Sequence, residues 1–474
     1  MPQKHLAVVV LAAGQGTRMK SATPKVMHNL AGLPLLGHVL VTAKGLDPQH
    51  VIPVIRHEKE SIAEYIETFH PGCLVVEQDE IPGTGRAVEC AIAALPDDFN
   101  GAVVVTSGDV PLLDVLTLEA LLEEHIESGA AATILTAIMD DPTGYGRIVR
   151  HTDGSFDSIV EQRDANDDQL EILEINAGVY VFDAVALRES LAKVGTHNAQ
   201  GEKYLTDVAK ILVDGGSKVL ALAVEDNWLV AGINDRQQLS EVAGELNARI
   251  CEFWQLEGVS IIDPASTWID VTVQIDADAT ILPGTYLHGF TKIGGGATVG
   301  PEVVMLDTEV GPGASVVKAH VTGSRIGEGA SVGPFAYLRP GTDLGKDGKI
   351  GTFVETKNAK IGEGTKVPHL TYVGDAEIGE HSNIGAGTIF ANYDGIHKHR
   401  STIGSHVKTG AHNVFVAPIS IADGAYTAAG SVIRRDVAAG ALGMSVTPQK
   451  NLPDWVLQKR AGTASAEAAQ KAKD

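Results

Sequence analysis

The chain has 474 residues, 44% of them hydrophobic, and a formal net charge of −23 at pH 7. Its length fits about three folded domains or two large ones, and its acidity argues against a general nucleic-acid binder, which needs a basic surface. Nothing in it predicts a membrane span, because the apolar runs are short, and residues 6–13 lack the cleavage site of a signal peptide. The three scattered cysteines, Cys73, Cys90 and Cys251, suit a reducing cytoplasm and predict neither a disulfide framework nor a metal cluster.

The first half of the chain alternates strand and helix signals. Apolar runs at residues 6–11 and 101–106 both end in glycine-containing turns, as strands buried in a parallel sheet do. Helical patterns cover residues 61–69, 86–95 and 118–128, and we expect Thr117 to be the N-cap of the last one. This alternation predicts a Rossmann-like α/β domain whose mostly parallel sheet binds ligands above the carboxyl ends of its strands.

A long helical pattern follows at residues 235–256. It predicts either a rigid arm joining two halves or the ordinary terminal helix of the first domain. We place the first domain at residues 1–234, a linker helix arm at 235–262, a second domain at 263–455 and a tail at 456–474. The tail has no apolar pattern, and we expect it to be disordered.

The second half carries a period of six residues. Of the 52 glycines, 29 lie between Asp270 and Ser445, and glycine often follows an aliphatic residue there. Aliphatic residues recur six apart, as in this run: Ile275, Ile281, Leu287, Ile293 and Val299. A period of six fits neither an amphipathic helix nor an alternating strand, but it fits a parallel β-helix with about 18 residues per coil. The clearest break in the period is at residues 389–400, where we expect an inserted loop.

A glycine loop follows the first apolar run. In Leu11-Ala12-Ala13-Gly14-Gln15-Gly16-Thr17-Arg18-Met19, two glycines let backbone N–H groups approach a phosphate or a base, and Arg18 adds positive charge. Met19 at the third glycine position excludes a dinucleotide fingerprint, and the sequence has no Walker A motif. The structural alternatives are a tight strand-to-helix turn for this loop and a solvated surface position for the nearby Lys25.

Several polar residues in the first half could bind a ligand. Asp109 follows the second apolar run, where a carboxylate can hold a Mg²⁺ ion that bridges substrate phosphates, although it could also cap the next turn. Residues 82–86 form a second, weaker glycine loop. Glu161, Asn176 and Asn234 are isolated polar residues for which structural hydrogen bonds are the alternative role.

In the repeat region, one histidine stands beside unusual polar residues. His369 could take a proton from an amine that attacks a carbonyl, although the chain has 17 histidines and most have no catalytic role. Glu355 and Lys357 are charged residues within β-helix rungs, and Asn392-Tyr393 lies in the predicted insertion, where functional groups collect.

Taken together, these motifs resemble one family, the bacterial bifunctional UDP-N-acetylglucosamine pyrophosphorylase / glucosamine-1-phosphate N-acetyltransferases, from about Leu6 to Trp455. In the first half the resemblance rests on these stretches: Leu11-x-x-Gly14-x-Gly16-Thr17-Arg18-Met19 with Pro24-Lys25, Gln78 with Gly83-Thr84-Gly85, Gly108-Asp109, Gly144-Tyr145-Gly146-Arg147, Glu161, Asn176, Thr206 and Asn234. In the second half it rests on Leu338-Arg339-Pro340-Gly341, Glu355-x-Lys357, His369-Leu370-Thr371-Tyr372, Asn383 and Asn392-Tyr393. Ser107 and Arg86 stand where the family often has tyrosine and histidine.

The resemblance implies a role for each matching residue of the first half. Arg18 and Lys25 would serve catalysis, and Asp109 and Asn234 would be the ligands of Mg²⁺. The residues that would contact UTP or UDP-N-acetylglucosamine are Leu11, Ala12, Gly14, Gly16, Lys25, Gln78, Gly83, Thr84, Gly146, Glu161, Asn176, Thr206 and Asn234.

The resemblance likewise implies an acetyl-transfer site in the second half. His369 would be the general base and Glu355 would orient it. The sugar phosphate that accepts the acetyl group would contact Arg339, Lys357, Tyr372 and Asn383. Acetyl-CoA would contact Ala386, Asn392, Tyr393, Ala411, Ala429 and Val446.

The implied fold is an α/β nucleotidyltransferase domain followed by a left-handed parallel β-helix of hexapeptide repeats that forms a cytoplasmic homotrimer. The implied reactions are acetyl transfer from acetyl-CoA to glucosamine 1-phosphate, then uridylyl transfer from UTP to N-acetylglucosamine 1-phosphate with Mg²⁺. Their product is UDP-N-acetylglucosamine, a cell-envelope precursor. Two rival hypotheses are a nucleotidyltransferase whose β-helix only regulates or trimerises, and a non-catalytic assembly protein. Neither the resemblance nor the composition implies a nucleic-acid partner or membrane insertion.

Overall fold

The computed structural model describes residues 5–445 and 447–474. They fall into two compact units. The first ends at Leu256 and also includes Trp268–Val273, and the second consists of Glu257–Thr267 and Gln274–Asp474. Among the described residues, no helix is both long and apolar enough to cross a bilayer.

The first unit is a mixed α/β sheet with helices on both faces. Its strands are β1 (Leu6–Ala12), β2 (Asn29–Leu30), β3 (Leu33–Pro34), β4 (His50–Ile55), β5 (Val76–Glu77), β6 (Ala102–Ser107), β7 (Ala132–Ile138), β8 (Arg147–Arg150), β9 (Phe156–Val160), β10 (Glu174–Asp183) and β11 (Val219–Val224). Its helices are α1 (Leu35–Gly45), α2 (Lys59–Phe69), α3 (Thr84–Ala93), α4 (Val115–Ser128), α5 (Asp167–Leu170), α6 (Ala184–Leu191), α7 (Thr206–Asp214) and α8 (Arg236–Leu256).

The sheet order confirms the predicted fold class. The strands run β11-β7-β10-β6-β1-β4-β5, and the β8–β9 hairpin joins at β10. β1 is parallel to both β4 and β6, whereas β10 is antiparallel to its neighbours β6 and β7. Alternate residues of β1 enter two cores: Ala7 and Val9 pack into one, and Val8 and Val10 into the other. Burial on both faces explains why this strand is continuously apolar.

Helix α8 packs on the first unit. Its apolar side chains Leu239, Val242 and Leu246 belong to a cluster with Ile233 and Leu112. This packing favours the terminal-helix interpretation of residues 235–256 over an arm that stands free of the first domain.

The N-cap of α4 differs from the prediction. The helix begins at Val115, and the cap is Asp114, whose carboxylate accepts a hydrogen bond from the Thr117 backbone N–H at 2.7 Å. Thr117 is therefore the third helical residue, because the carboxylate that precedes the helix satisfies its otherwise unpaired N–H.

We expect Asp114→Ala to lower the free energy of unfolding by about 1 kcal/mol, which is the usual value of a cap, and Thr117→Ala to have a smaller effect. Thermal melting of the full chain, followed by near-ultraviolet circular dichroism, measures both variants. A larger loss in the Thr117 variant would contradict the assignment.

The second unit is the parallel β-helix that the hexad pattern predicts, and it is consistent with the left-handed form that the resemblance implies. Its strands, together with β13, which clusters with the first unit, are β12 (Ser260–Ile261), β13 (Trp268–Ile269), β14 (Gln274–Ile275), β15 (Thr280–Ile281), β16 (Tyr286–His288), β17 (Lys292–Ile293), β18 (Thr298–Val299), β19 (Val304–Leu306), β20 (Glu309–Val310), β21 (Ser315–Val316), β22 (Ala319–Thr322), β23 (Arg325–Ile326), β24 (Ser331–Val332), β25 (Ala336–Leu338), β26 (Asp343–Leu344), β27 (Lys349–Thr352), β28 (Glu355–Ile361), β29 (Lys366–His369), β30 (Tyr372–Ile378), β31 (Ile389–Ala391), β32 (Ser401–Ile403), β33 (Val414–Val416), β34 (Ile419–Ile421), β35 (Tyr426–Thr427), β36 (Val432–Ile433) and β37 (Leu442–Gly443). Two short helices follow, α9 (Trp455–Lys459) and α10 (Ala464–Lys471).

The periodic aliphatic residues form the core of the β-helix. Ile281, Leu287 and Val299 are fully buried, and strands one coil apart pair in parallel, as Thr280 does with Thr298. The glycines after the aliphatic residues let successive coils approach closely: a Cβ on Gly362 would lie 2.7 Å from the backbone of the next coil. Three hexads therefore make one coil, and the glycines leave room for the next coil to stack on it.

Two details of this unit differ from the prediction. Ile389–Ala391 is a regular strand with Phe390 in the core, so the inserted loop begins only at Asn392. The tail after Trp455, which we expected to be disordered, forms α9 and α10, and the Thr463 side chain caps the second of these. The alanines of α10 explain that helix, since alanine has the highest helix propensity, whereas α9 contains no alanine.

Candidate active sites

A cleft of about 520 Å³ opens at the carboxyl ends of the central strands in the first unit. It brings together eight of the predicted residues from five separate segments of chain: Leu11, Ala12, Gly14, Lys25, Gln78, Gly83, Thr84 and Asp109. The parallel arrangement of β1, β4 and β6 explains this convergence, because their carboxyl ends meet at the same edge of the sheet.

The charged centre of the cleft is built around Lys25. Its ammonium forms an ion pair with the Asp109 carboxylate and lies 3.3 Å from Asn234 Oδ1. Arg18 donates to the same Asn234 oxygen at 2.7 Å, and Ser107 Oγ donates to Asp109 Oδ1 at 2.6 Å. The structure thus places two cations against one carboxylate and one amide oxygen.

Backbone contacts hold these distant residues in place. The Ile233 N–H donates to the Asp109 carbonyl at 3.0 Å, which brings Asn234 beside Asp109. Gly16 has a positive φ of 63°, and a Cβ there would lie 2.5 Å from Lys25 Cβ. Glycine is therefore required for Lys25 to approach the loop, whereas Gly14 faces open space that a ligand can occupy.

The Asp109 and Asn234 oxygens fit a magnesium ion. Both converge on one cationic group, the Lys25 ammonium, so the same pair can face a divalent ion. Among residues 5–445 and 447–474, no group of three or more His, Cys, Asp or Glu side chains could bind a metal. An ion held by Asp109 and Asn234 alone would keep most of its waters and would bind substrate phosphates, which is the usual behaviour of Mg²⁺.

The second glycine loop forms one wall of the cleft. Gln78 is buried, and its Nε2 donates to the carbonyls of Ile81 at 2.8 Å and Gly83 at 3.1 Å. The Gly85 N–H donates to the Lys203 carbonyl at 2.8 Å, and the Leu205 N–H donates to Thr84 Oγ1 at 3.1 Å. Because both Nε2 protons are used, the Gln78 side chain has only an acceptor, Oε1, left for a ligand.

A second group of predicted residues comes together where Glu161, directly after β9, meets Asn176 on β10 and Thr206 on α7. Thr206 Oγ1 donates to Glu161 Oε1 at 3.2 Å, and the Asn176 N–H donates to the Gly146 carbonyl at 2.9 Å. Asn176 Nδ2 donates to the Tyr180 hydroxyl at 2.7 Å. Burial raises the pKa of Glu161, and the nearby carboxylates of Asp164, Asp207 and Glu202 raise it further, although the Thr206 hydrogen bond opposes them.

Nine residues that line the cleft were not among the predicted site residues. The polar or charged ones are Gln15, Arg56, His57, Ser107 and Glu202. Arg56 and His57 directly follow β4, so the rule that ligands bind at strand carboxyl ends could have found them. Arg86, where the family often has histidine, forms ion pairs with Asp79 and Glu89.

The β-helix carries the second candidate site. Arg339 donates to Glu355 Oε1 at 2.9 Å, and both side chains are partly exposed. Lys357 lies next to Lys398 of the inserted loop, and this second lysine lowers the pKa of Lys357. Three basic side chains, Arg339, Lys357 and Lys398, therefore lie near two acidic ones, Glu355 and Asp375. Their net positive charge suits an anionic ligand.

Tyr372 and Asn392 lie on the next coils. Asn392 Nδ2 donates to Asp375 Oδ2 at 2.6 Å and lies 3.5 Å from the Tyr372 hydroxyl. Asp375 also accepts from Asn358 at 2.8 Å. Burial alone would raise the pKa of Asp375, but these hydrogen bonds and the Lys357 charge outweigh it and lower the pKa.

His369 is exposed at the end of β29, so it does not point into the core. Glu355 does not contact it within one copy of the chain: among the described contacts the Glu355 carboxylate bonds to Arg339. The register explains the separation, because β27 pairs Thr352 with His369, whereas Glu355 pairs with Tyr372 on another face. The expected orientation of His369 by Glu355 is therefore absent from the single chain.

The predicted acetyl-CoA residues continue the column of His369. The Gly387 N–H donates to the His369 carbonyl, the His412 N–H to the Ala386 carbonyl and the Gly430 N–H to the Ala411 carbonyl. This register places Ala386, Ala411 and Ala429 one coil apart, below His369. Tyr393 is exposed in the loop, Asn383 lies on the face of β29, and Val446 lies outside the described residues.

Comparison with known proteins identifies the family of the chain. Residues 8–166 match the family model of the MobA-like NTP transferase domain. A bifunctional protein GlmU of Clavibacter sepedonicus is 58% identical over 469 residues, which is 99% of this chain and 95% of that protein. Those of Kineococcus radiotolerans and Mycobacterium bovis are 56% and 55% identical, covering 100% and 99% of this chain and 96% and 95% of their own lengths. These matches confirm the resemblance drawn from the motifs, and the chain belongs to the family of the bifunctional GlmU proteins.

Proposed function

We propose that the chain makes UDP-N-acetylglucosamine in two steps, acetylating glucosamine 1-phosphate on the β-helix and transferring a uridylyl group to the product in the α/β cleft. The observation that carries this proposal is the Arg18–Lys25–Asp109–Asn234 constellation at the sheet edge. The separate β-helix site, with its basic side chains and the exposed His369, supports the acetyl-transfer reaction. A nucleotidyltransferase with a regulatory β-helix would not need the second arrangement, and a passive assembly protein would need neither.

In the cleft, the phosphate oxygen of N-acetylglucosamine 1-phosphate attacks the α-phosphorus of UTP, and the bond to pyrophosphate breaks. Arg18 and Lys25 bind the phosphates and offset the negative charge that develops during transfer. Mg²⁺, held by Asp109 and Asn234, would supply further charge neutralisation at the phosphates. The catalysis is positioning and electrostatics, so no covalent enzyme intermediate is required.

The Gln78 amide accounts for the choice of uracil. Its Nε2 is engaged by the carbonyls of Ile81 and Gly83, so Oε1 is available as a fixed acceptor. Uracil offers an N–H donor at N3, whereas cytosine offers an acceptor at the same place. A buried mismatch of two acceptors is costly, and the cleft therefore favours UTP over CTP.

The pocket of Gly146, Glu161, Asn176 and Thr206 receives the acceptor sugar. As a carboxylate, Glu161 can accept hydrogen bonds from sugar hydroxyl or amide groups at both oxygens, whereas protonation turns one of these oxygens into a donor. Its pKa is raised by burial, with smaller contributions from Asp164, Asp207 and Glu202. The unbound enzyme therefore protonates Glu161 at a higher pH than an ordinary carboxyl group.

We expect the KM for N-acetylglucosamine 1-phosphate to rise as the pH falls through this raised pKa, because the carboxylate is the binding form. Glu161→Gln should have a higher KM that changes less with pH. The substrate phosphate titrates with both enzymes, so the ratio of their KM values isolates Glu161. A ratio that stays constant with pH would contradict this role.

On the β-helix, the amine of glucosamine 1-phosphate attacks the thioester carbon of acetyl-CoA and the C–S bond breaks. A second proton of the amine passes to the sulfur, so that coenzyme A leaves as the thiol. His369 accepts the ammonium proton, which must leave before the nitrogen is nucleophilic. Arg339 and Lys357 bind the sugar phosphate, Tyr372 and Asn383 contact the sugar, and Ala386, Asn392, Tyr393, Ala411, Ala429 and Val446 contact acetyl-CoA.

We infer a homotrimer, in which a neighbouring copy can supply the carboxylate that His369 lacks in the single chain. The cysteines are free thiols, and UTP and acetyl-CoA are intracellular metabolites, so we place the reactions in the cytoplasm.

One coupled assay tests the proposal. Glucosamine 1-phosphate, acetyl-CoA, UTP and Mg²⁺ are mixed with the full chain, and thiol release and pyrophosphate release are followed separately. Both products are expected, with pyrophosphate release dependent on prior acetylation. Pyrophosphate without thiol would support the regulatory β-helix, and neither product would support the assembly protein.

A further inference from the structure

One arginine of the first unit is buried at an unusual cost. Arg147, at the start of β8, is 2% exposed and is among the largest fully buried side chains. Its Nε has no hydrogen-bond partner within the described chain. A buried guanidinium with an unpaired donor is expensive, and such violations concentrate at functional sites.

The described partner of Arg147 is a loop carbonyl. Its NH1 donates to the carbonyl of Tyr145, in the loop of residues 144–146. The same loop is held at two further points: the Asn176 N–H donates to the Gly146 carbonyl at 2.9 Å, and the Gly144 N–H donates to Gln162 Oε1 at 3.1 Å. Each anchor is thus next to, or part of, the proposed sugar pocket.

The loop forms the floor of that pocket. A Cβ on Gly146 would lie 3.6 Å from Glu161 Oε2 and 3.1 Å from Ile159 Cγ2, so the backbone there directly faces Glu161. Tyr145 reaches the other way, because its hydroxyl oxygen interacts with the Gly232 backbone N–H near Asp109. A shift of the Tyr145 carbonyl would therefore move the backbone against which the acceptor sugar lies.

We propose that Arg147 is a positioning residue for the acceptor-sugar pocket, which it sets through the Tyr145 carbonyl without touching substrate. This inference rests on the proposed uridylyl transfer. Burial lowers the pKa of Arg147, and the negative charge of Asp141 opposes this effect only in part. A charged donor suits this task, since its hydrogen bond to a carbonyl is stronger than that of a neutral donor.

The test is steady-state kinetics of uridylyl transfer by the full chain carrying Arg147→Met or Arg147→Lys. The methionine variant is expected to raise the KM for N-acetylglucosamine 1-phosphate about tenfold or more, from the loss of one charge-assisted hydrogen bond, and to leave the KM for UTP within twofold. The lysine variant keeps a charged donor and should recover most of the lost affinity. If the methionine variant does not fold, the lysine variant carries the test. Its KM for N-acetylglucosamine 1-phosphate must then lie above that of the unmodified chain, while its KM for UTP stays within twofold.

Arg188→Met is the matched control. Like Arg147, Arg188 donates to backbone carbonyls. Its partners are Phe99 at 2.6 Å and Pro96 at 3.1 Å, and it lies on α6 away from the pocket. It should lower thermal stability without changing either KM, and thiol release from acetyl-CoA reports an intact second unit in every variant. Equal rises of both KM values, or no change in the acceptor KM, would overturn the proposal. Absence of uridylyl transfer in the unmodified chain would instead refute the proposed function.

Discussion

Replacing Asp109 with alanine should reduce pyrophosphate release from UTP by about a hundredfold to a thousandfold and leave acetyl transfer unchanged. The variant loses one of the two oxygens proposed to hold Mg²⁺ and the ion-pair partner of Lys25. Removing a single preorganised electrostatic group from an active site commonly has an effect of this size. Pyrophosphate release with N-acetylglucosamine 1-phosphate, UTP and Mg²⁺ measures it.

Asp114→Ala is the control for Asp109→Ala. It removes a carboxylate five residues further along, which caps α4 and does not line the cleft. It should keep its uridylyl-transfer rate despite its lower stability. Thiol release from acetyl-CoA in the same preparation shows that the β-helix is intact. An Asp109 variant with the unmodified rate would remove this residue from the mechanism.

Replacing His369 with alanine should reduce thiol release from acetyl-CoA by about 10²- to 10⁴-fold, the usual contribution of a general base. Pyrophosphate release from N-acetylglucosamine 1-phosphate and UTP should stay unchanged, because that reaction belongs to the other unit. Raising the pH should restore part of the lost rate, since the substrate amine then loses its proton to solvent. The KM for acetyl-CoA should change little.

His381→Ala is a matched control for His369→Ala. His381 is another exposed histidine of the β-helix and stacks on His406 with ring centroids 5.4 Å apart. Its loss should leave thiol release intact. If the His369 variant kept most of its rate at neutral pH, the proton would have to go to a different base, or the amine would have to bind already deprotonated.

The β-helix could be predicted almost completely from the sequence. Each aliphatic residue of the hexad pattern marks a buried position, and the number of residues in a coil follows from the period. The start of the insertion was placed too early, because Phe390 still occupies a core position although the pattern around it is broken. The prediction that the tail is disordered was also wrong, because helix propensity can order an alanine-rich segment that has no apolar period.

The candidate sites could be predicted only in part. Resemblance supplied Lys25, Asp109 and Asn234 as separate residues, but only the structure shows that the Lys25 ammonium faces both oxygens. It also shows that Glu355 bonds to Arg339 and not to His369 within one chain. In the sequence Arg147 was only the last residue of the Gly144–Arg147 motif, and no role was assigned to it. Its burial and its unpaired Nε are visible only in the structure.

The sequence alone determined the two architectures. Apolar runs and the six-residue period are patterns of nearby residues, and they show which side chains are buried. Tertiary structure decided the rest. Lys25 and Asn234 are 209 positions apart, and their contact depends on the order of strands in the sheet and on the Ile233–Asp109 backbone bond. A short-range pattern carries no information about such pairings, because the path of the whole chain creates them.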